Sequence, residues 1–290
     1  MPANRRLWRA IILYNIPMET LSFAEEIRLE SIHVPRAALR FAHEIAYPEL
    51  DIGRYLAQLD QLAAWGQEVV APASTAIAQA EALSGFLFER FGFRGNQADY
   101  GDPRNSYLNE VLDRRLGIPI SLSVVYVHVA QAAGLAAYGI GLPGHFIVGV
   151  QEGRAAFYLD PFNGGAWLSE ANLAQLVEQS TGYRGPLQAG WLQPAAPLDI
   201  LERMLNNLRN IYRQRQEWPP ALAVLERLRL LQPGQLEHLR DLAIAHHHGG
   251  SLRLAVDAYE QYLTRRPDAP DAAAMRRSLQ DAARRLAQLN

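Results

Sequence analysis

The chain has 290 residues, 49% of them hydrophobic and 20% charged, with a formal net charge of -2, enough to bury a sizeable core and to divide into two or three modules. The near-neutral balance supplies no bulk attraction to nucleic acid or to an anionic membrane. There is no cysteine, and all 28 basic residues are arginine, which excludes disulfides, thiolate metal sites, cysteine nucleophiles, lysine Schiff bases and the Walker-type lysine.

The opening MPANRRLWRAIILYNIPMET sets two arginines before a short apolar run that Asn15 and Pro17 interrupt, with no small-residue cleavage site behind it. No other stretch approaches the roughly 20 apolar residues of a membrane span. A cytoplasmic protein without membrane contact is expected. Residues 1–94 are read as a helical lobe, because three segments between Pro35 and Phe93 space apolar residues by three and four. Asp51 and Ser74 stand where helix caps belong, and Gly92 and Gly95 mark the exit.

From Gly95 to about residue 190 the character changes. NSYLNEVLDRRLG predicts a helix capped by Asn105 and stopped by Gly117, and ISLSVVYVHVAQAAG a strongly apolar helix ending at Gly134. Strand signals follow in AYGIGLPGHFIVGV and RAAFYLDPF, joined by the polar turn QEG. Helices ahead of a small antiparallel sheet predict an α+β fold.

Beyond the proline-rich LQPAAPLD the pattern is wholly helical over 198–290. Leu205, Leu208, Tyr212, Ala221, Leu225, Leu228 and Pro233 recur at a constant offset of 34 residues as Leu239, Leu242, His246, Ala255, Tyr259, Tyr262 and Pro267. That is the tetratricopeptide period, with its alanine and closing proline in place. Arg209 and Ala243 occupy the position of the repeat's glycine, which predicts slightly looser helix pairs. Two repeats are fewer than the roughly three that stand alone, so the tail is expected to dock on the preceding domain, closed by a capping helix with arginines on its outer face.

The hairpin brings chemistry together. With Glu152 and Gly153 as the tight turn, Val148 faces Phe157 and His145 faces Asp160, the last two with Cβ atoms about 5 Å apart on one sheet face. A histidine oriented by an aspartate is the base half of a nucleophilic triad; a cross-strand pair that satisfies two buried polar groups is the plain alternative. Asn105, Asn109 and Asp113 fall on one helix face at four-residue spacing, as caps or as supporting hydrogen-bond groups. The run His246-His247-His248 cannot turn three rings on one ion, since neighbouring helical positions diverge by about 100°. His128 reads as a core or boundary histidine. No metal or other cofactor is expected.

The segment from FGFRGNQADYGDPRNSYLNEVL through GIPISLS and GLPGHF to LDPF resembles the SirB-type transglutaminase-like proteins, in which it precedes a tetratricopeptide tail. The resemblance spans nearly the whole chain after the first thirty or so residues. It implies a papain-like transglutaminase core over 95–190. In catalytic relatives a cysteine at the start of a buried helix is activated by a histidine and an aspartate from adjacent strands. His145 and Asp160 match the latter two, while Ser121 stands at the helix start, so transglutaminase and cysteine-protease activities are out of reach. Ser121 is then either a helix cap or the nucleophile of a Ser-His-Asp hydrolase or acyltransferase. The expectation carried forward is a non-catalytic, regulatory protein whose tetratricopeptide groove binds a protein or peptide segment.

Overall fold

The computed structural model describes residues 21–289; the opening segment weighed above as a signal peptide lies outside them. Helix α1 (Phe23–Glu26) opens on a capping box made by Ser22 and Glu25. Helix α2 (Val34–Ile45) is capped by a histidine: His33 Nδ1 accepts the Arg36 N–H at 3.2 Å. Asp51 caps α3 (Ile52–Val70). The cap of α4 (Ala76–Ser84) is Thr75 rather than Ser74, because the Thr75 hydroxyl reaches the Ala78 N–H three residues on.

Two corrections concern the next segment. The helix expected from Asn105 to Gly117 is broken into a 3₁₀ turn (Pro103–Asn105) and a short α5 (Leu108–Arg114), which stops at Arg115 in the left-handed region. The residues after it, β2 (Leu116–Gly117), pair in parallel with β1 (Arg94–Gly95). Pairing with β1 takes these two residues out of the helix.

Helix α6 (Pro119–Ala132) is the axis of the molecule and packs against α3, the sheet and the Pro161–Asn163 turn. Ten of its fourteen residues are buried, so its sequence lacks the polar stripe of a surface helix. Gly66 lets α3 approach: a Cβ there would lie 2.6 Å from Val129 Cγ1.

The stretch AYGIGLPGHFIVGV holds two strands, β3 (Ala137–Ile140) and β4 (Ile147–Glu152), separated by a turn through Pro143 and Gly144. With β5 (Ala155–Asp160) and β6 (Ala166–Trp167) they form an antiparallel sheet in the order β3-β4-β5-β6. The β4–β5 register differs from the expected one. Glu152 pairs with Ala155 and Val148 with Leu159, since the turn residues are Gly153 and Arg154. Gly153 at φ +59 fills the first central position, where a type II′ hairpin requires positive φ. Helix α7 (Glu170–Thr181) follows.

The tail is α8 (Pro197–Arg215), α9 (Trp218–Leu231), α10 (Leu236–His248), α11 (Leu252–Arg265) and α12 (Ala272–Gln288). One contiguous core runs from Phe23 through α6 and the sheet into Leu201, Leu205, Leu208 and Leu225 of the first repeat. A second cluster joins α10, α11 and α12. Polar links cross the same seam: Tyr107 and Tyr212 share a buried hydroxyl hydrogen bond of 2.9 Å, and the half-buried Arg227 and Glu44 pair at 3.0 Å. Arg276, Arg277, Arg284 and Arg285 lie on the exposed face of α12. Among the described residues, no helix is long and apolar enough to cross a membrane.

Candidate functional site

The LDPFNGG sequence builds the first half of the site. Asp160 ends β5, and the proline after it starts a 3₁₀ turn (Pro161–Asn163) for which Asp160 is the cap. Its Oδ1 accepts the Phe162 N–H at 3.0 Å, and its Oδ2 accepts the Asn163 side-chain amide at 2.8 Å. His145 Nε2 is 2.9 Å from the same Oδ2. The carboxylate is 1% exposed and the imidazole 13%, a desolvated pair in which each hydrogen bond counts for more than in water. With Nε2 committed to Asp160, Nδ1 is the ring nitrogen left for a further partner, and no hydrogen bond to it exists among the described residues.

His145 precedes β4 rather than lying in it. Gly144 at φ +75 turns the chain, and Ser180 Oγ of α7 lies 3.0 Å from the Pro143 carbonyl and 2.6 Å from the Leu176 carbonyl of its own helix. The Arg203 guanidinium from α8 donates to the His145 carbonyl at 2.6 Å and covers the Phe146 ring at 5.6 Å. Burial draws the Arg203 pKa below the usual guanidinium value, opposed by nearby Tyr100.

Ser121 occupies a different kind of environment. It is the third residue of α6, not its N-cap; that place belongs to Ile118, with Pro119 at the first position. Its hydroxyl accepts the Ile118 N–H at 3.0 Å and lies 2.7 Å from the Asn105 carbonyl and 3.1 Å from that of Ile118. Ser121 is 0% exposed, and a Cβ on Gly117 would sit 2.7 Å from the hydroxyl. A serine hydroxyl carries one proton, and here it goes to backbone carbonyls. No hydrogen bond joins Ser121 to His145 among the described residues.

The other expected members separate. Asn105 is not on the helix with Asn109 and Asp113. Its side chain is fully buried, binds the Asp99 carbonyl at 2.8 Å and accepts from Asn96 at 3.0 Å. Asn109 is buried with Oδ1 unpaired. Asp113 is exposed and accepts the Tyr55 hydroxyl of α3. Of the three, Asn105 alone touches Ser121, through its backbone. Asn163, Asn96 and Arg203 were not anticipated. Asn163 had a signal, an amide inside a Pro/Asn/Gly turn beside the aspartate; Arg203 had none, because its partner is a backbone atom 58 residues away.

In the tail, the His247 and His248 rings lie 5.8 Å apart but take different partners. His247 is buried, with Nε2 3.2 Å from Asp281 and Nδ1 3.4 Å from the Tyr259 hydroxyl, and His248 stacks on Trp218. His128, on α6, packs edge-on against His33. Among the described residues, no group of three or more His, Cys, Asp or Glu side chains is placed to hold a metal ion.

The chain matches the model of the transglutaminase-like superfamily over residues 53–206 and that of the tetratricopeptide repeat over 208–280. It is 33% identical to a UPF0162 protein of Xylella fastidiosa (strain Temecula1) over 255 residues, 87% of this chain and 90% of that protein. A UPF0162 protein of Vibrio cholerae is 27% identical over 67% of this chain and 72% of its own length. Human F-box only protein 21 is 28% identical over 139 residues, which cover 45% of this chain and 21% of that protein. No solved structure matches significantly. With the superfamily model spanning the α+β core, the repeat model spanning the tail, and a bacterial relative one-third identical over most of both chains, this chain belongs to the transglutaminase-like superfamily, as a UPF0162-type member with a tetratricopeptide tail.

Proposed function

We propose that the chain is a cytoplasmic, non-catalytic member of its superfamily that binds a protein or peptide segment through its tetratricopeptide tail and acts as a regulatory or scaffolding module. One observation carries the loss of catalysis: the residue at the nucleophile's position, Ser121, is wholly buried, and its hydroxyl proton is spent on backbone carbonyls. A nucleophile needs an accessible oxygen within reach of its base. The interaction role is supported by the stacked pairs α8/α9 and α10/α11, since stacked helix pairs make concave surfaces suited to extended segments. The test is affinity capture from a relative's lysate with the intact chain as bait, beside Ser121→Ala and Asp160→Asn. The reading expects the same partner on all three; loss of capture in the two variants alone would move binding into the His145–Asp160 site.

A second reading, a serine-dependent hydrolase or acyltransferase using Ser121, His145 and Asp160, is favoured by the orientation of Asp160, which accepts from a backbone N–H, an amide and an imidazole. Labelling by a fluorophosphonate that disappears in Ser121→Ala would establish it.

A further inference from the structure

A cavity of about 450 Å³ opens on the N-terminal lobe, with Trp65 and Glu68 of α3, Phe86, Arg90 and Phe91, and Arg115 in its wall. None of its lining comes from the tail or from the His145–Asp160 site. Two departures from regular backbone build it. Gly85–Arg90 is a π-helical turn, closed by the Phe91 N–H donating to the Phe86 carbonyl at 2.9 Å, and it sets those two rings 4.8 Å apart between centroids. Such turns concentrate at functional sites. Arg115 stops α5 at φ +58, a left-handed position that glycine or asparagine usually holds. An arginine there keeps a side chain despite the backbone strain, and its guanidinium lies 5.7 Å from the centre of the Phe91 ring.

The wall is accessible and positively charged. Trp65 is 40% exposed, tilted against Phe91 with ring centroids 5.4 Å apart. Arg90 and Arg115 are exposed, and among the described residues neither is in an ion pair. Arg94, whose N–H donates to the Arg115 carbonyl at 2.9 Å, is likewise exposed and outside any ion pair. Glu68 is the single acid among the described lining residues, which leaves the lining with one net positive charge. Asp113, near in sequence, is engaged by the Tyr55 hydroxyl.

These features select the occupant. Guanidinium groups without acidic partners call for carboxylates, which they bind as planar forks. Exposed rings beside them call for an apolar or aromatic group. Tryptophan and arginine are the residues that most often anchor protein interfaces. Trp65, Glu68, Arg90 and Arg115 are all exposed, so a small molecule seated here would stay largely in water, whereas pockets for such molecules enclose most of their ligand. A chain segment can cover the rim as well as fill the centre.

We propose that this cavity docks an acidic segment of a partner protein, one aromatic side chain of which packs on Trp65 and Phe91 while flanking carboxylates pair with Arg90 and Arg115. It is a second interaction surface, and it stands independently of the readings of the tail and of Ser121.

The test measures fluorescence anisotropy of a labelled peptide, EEFEE, titrated with the intact protein at low ionic strength, beside the peptides QQFQQ and EEAEE. Saturable binding of EEFEE is expected, weakened by about tenfold or more in each control peptide. Arg115→Gly should reduce affinity by a similar factor and keep the wild-type denaturation midpoint, because glycine accepts the left-handed backbone without strain. Trp65→Ala should also weaken binding, and Glu68→Gln should tighten it by removing the opposing charge. No saturable binding of EEFEE, equal binding of QQFQQ, or unchanged affinity in both Arg115→Gly and Trp65→Ala would overturn the proposal. So would co-sedimentation with phosphatidylserine vesicles that Arg115→Gly abolishes while EEFEE fails to bind, since the patch would then face a membrane.

Discussion

Arg203 holds His145 from behind: its guanidinium donates to the His145 carbonyl at 2.6 Å while the His145 ring meets Asp160 at 2.9 Å. The first tail helix is thereby a structural part of the site. The same guanidinium lies over Phe146. Replacing Arg203 by Met leaves the carbonyl unpaired and removes the stacked cation, and is expected to cost about 1–3 kcal/mol in denaturant unfolding. Arg203→Lys should recover little, because an ammonium lacks the planar fork. An Arg203→Met protein of wild-type stability would count against the link.

The Tyr107–Tyr212 hydrogen bond joins α5's entry to α8 in the shared core. Tyr212→Phe strands a buried hydroxyl on Tyr107, which is 1% exposed, and should destabilise by about 1–3 kcal/mol. Changing both to Phe should cost less than the sum of the single changes, since neither hydroxyl is then orphaned. Additive losses in a double-mutant cycle would show that the two hydroxyls do not pair.

Ser121→Ala is expected to cost about 1–3 kcal/mol, because the Ile118 N–H and the Asn105 carbonyl lose their common partner in a buried setting. Ser121→Cys is the sharper probe of reactivity. Its thiol should resist iodoacetamide in the native protein and react after denaturation, and mass spectrometry reads both. Fast modification of the native thiol would mean that the position opens, which favours the serine-hydrolase reading.

Stability should decline with acid over the histidine range. His33 is lowered to about 4 by burial, and His128, His238, His246 and His247 are lowered by the same cause. Between an unfolded value of about 6.5 and the folded value, the unfolded chain binds protons that the native one does not. Stability is therefore full above pH 6.5, falls as pH drops toward 4, and levels off for His33 below that. Protonating Nδ1 also removes the cap of α2. His33→Asn keeps a capping side chain without the titration, so its unfolding free energy measured against pH should fall less steeply than the wild type's. Parallel curves would exclude His33 as a contributor.

Much of the architecture is legible in local pattern. The offset of 34 residues places every helix of both repeats, because each repeat is one helix pair whose buried positions recur. The apolar run of α6 announces burial on all sides. The meeting of His145 with Asp160 was inferred from a hairpin whose register is two residues out, and the reason it still occurs is geometric. Side chains alternate with period two, so a two-residue slip preserves the face. The observed ladder ends at Val148 and Leu159, and His145, in the turn before β4, meets Asp160, the last residue of β5, at that same end of the hairpin.

What the sequence by itself determined is the order of modules and the absence of any cysteine, because these rest on composition and periodicity. Whether Ser121 is reachable, that Asn105 leaves the face of Asn109 and Asp113, and that Arg203 from the tail braces His145 were decided only in three dimensions. Burial and hydrogen bonds to backbone atoms depend on segments 16 to 58 residues apart in the chain, and a carbonyl offers the same acceptor whatever residue carries it, so no pattern of side chains announces which partner will find it.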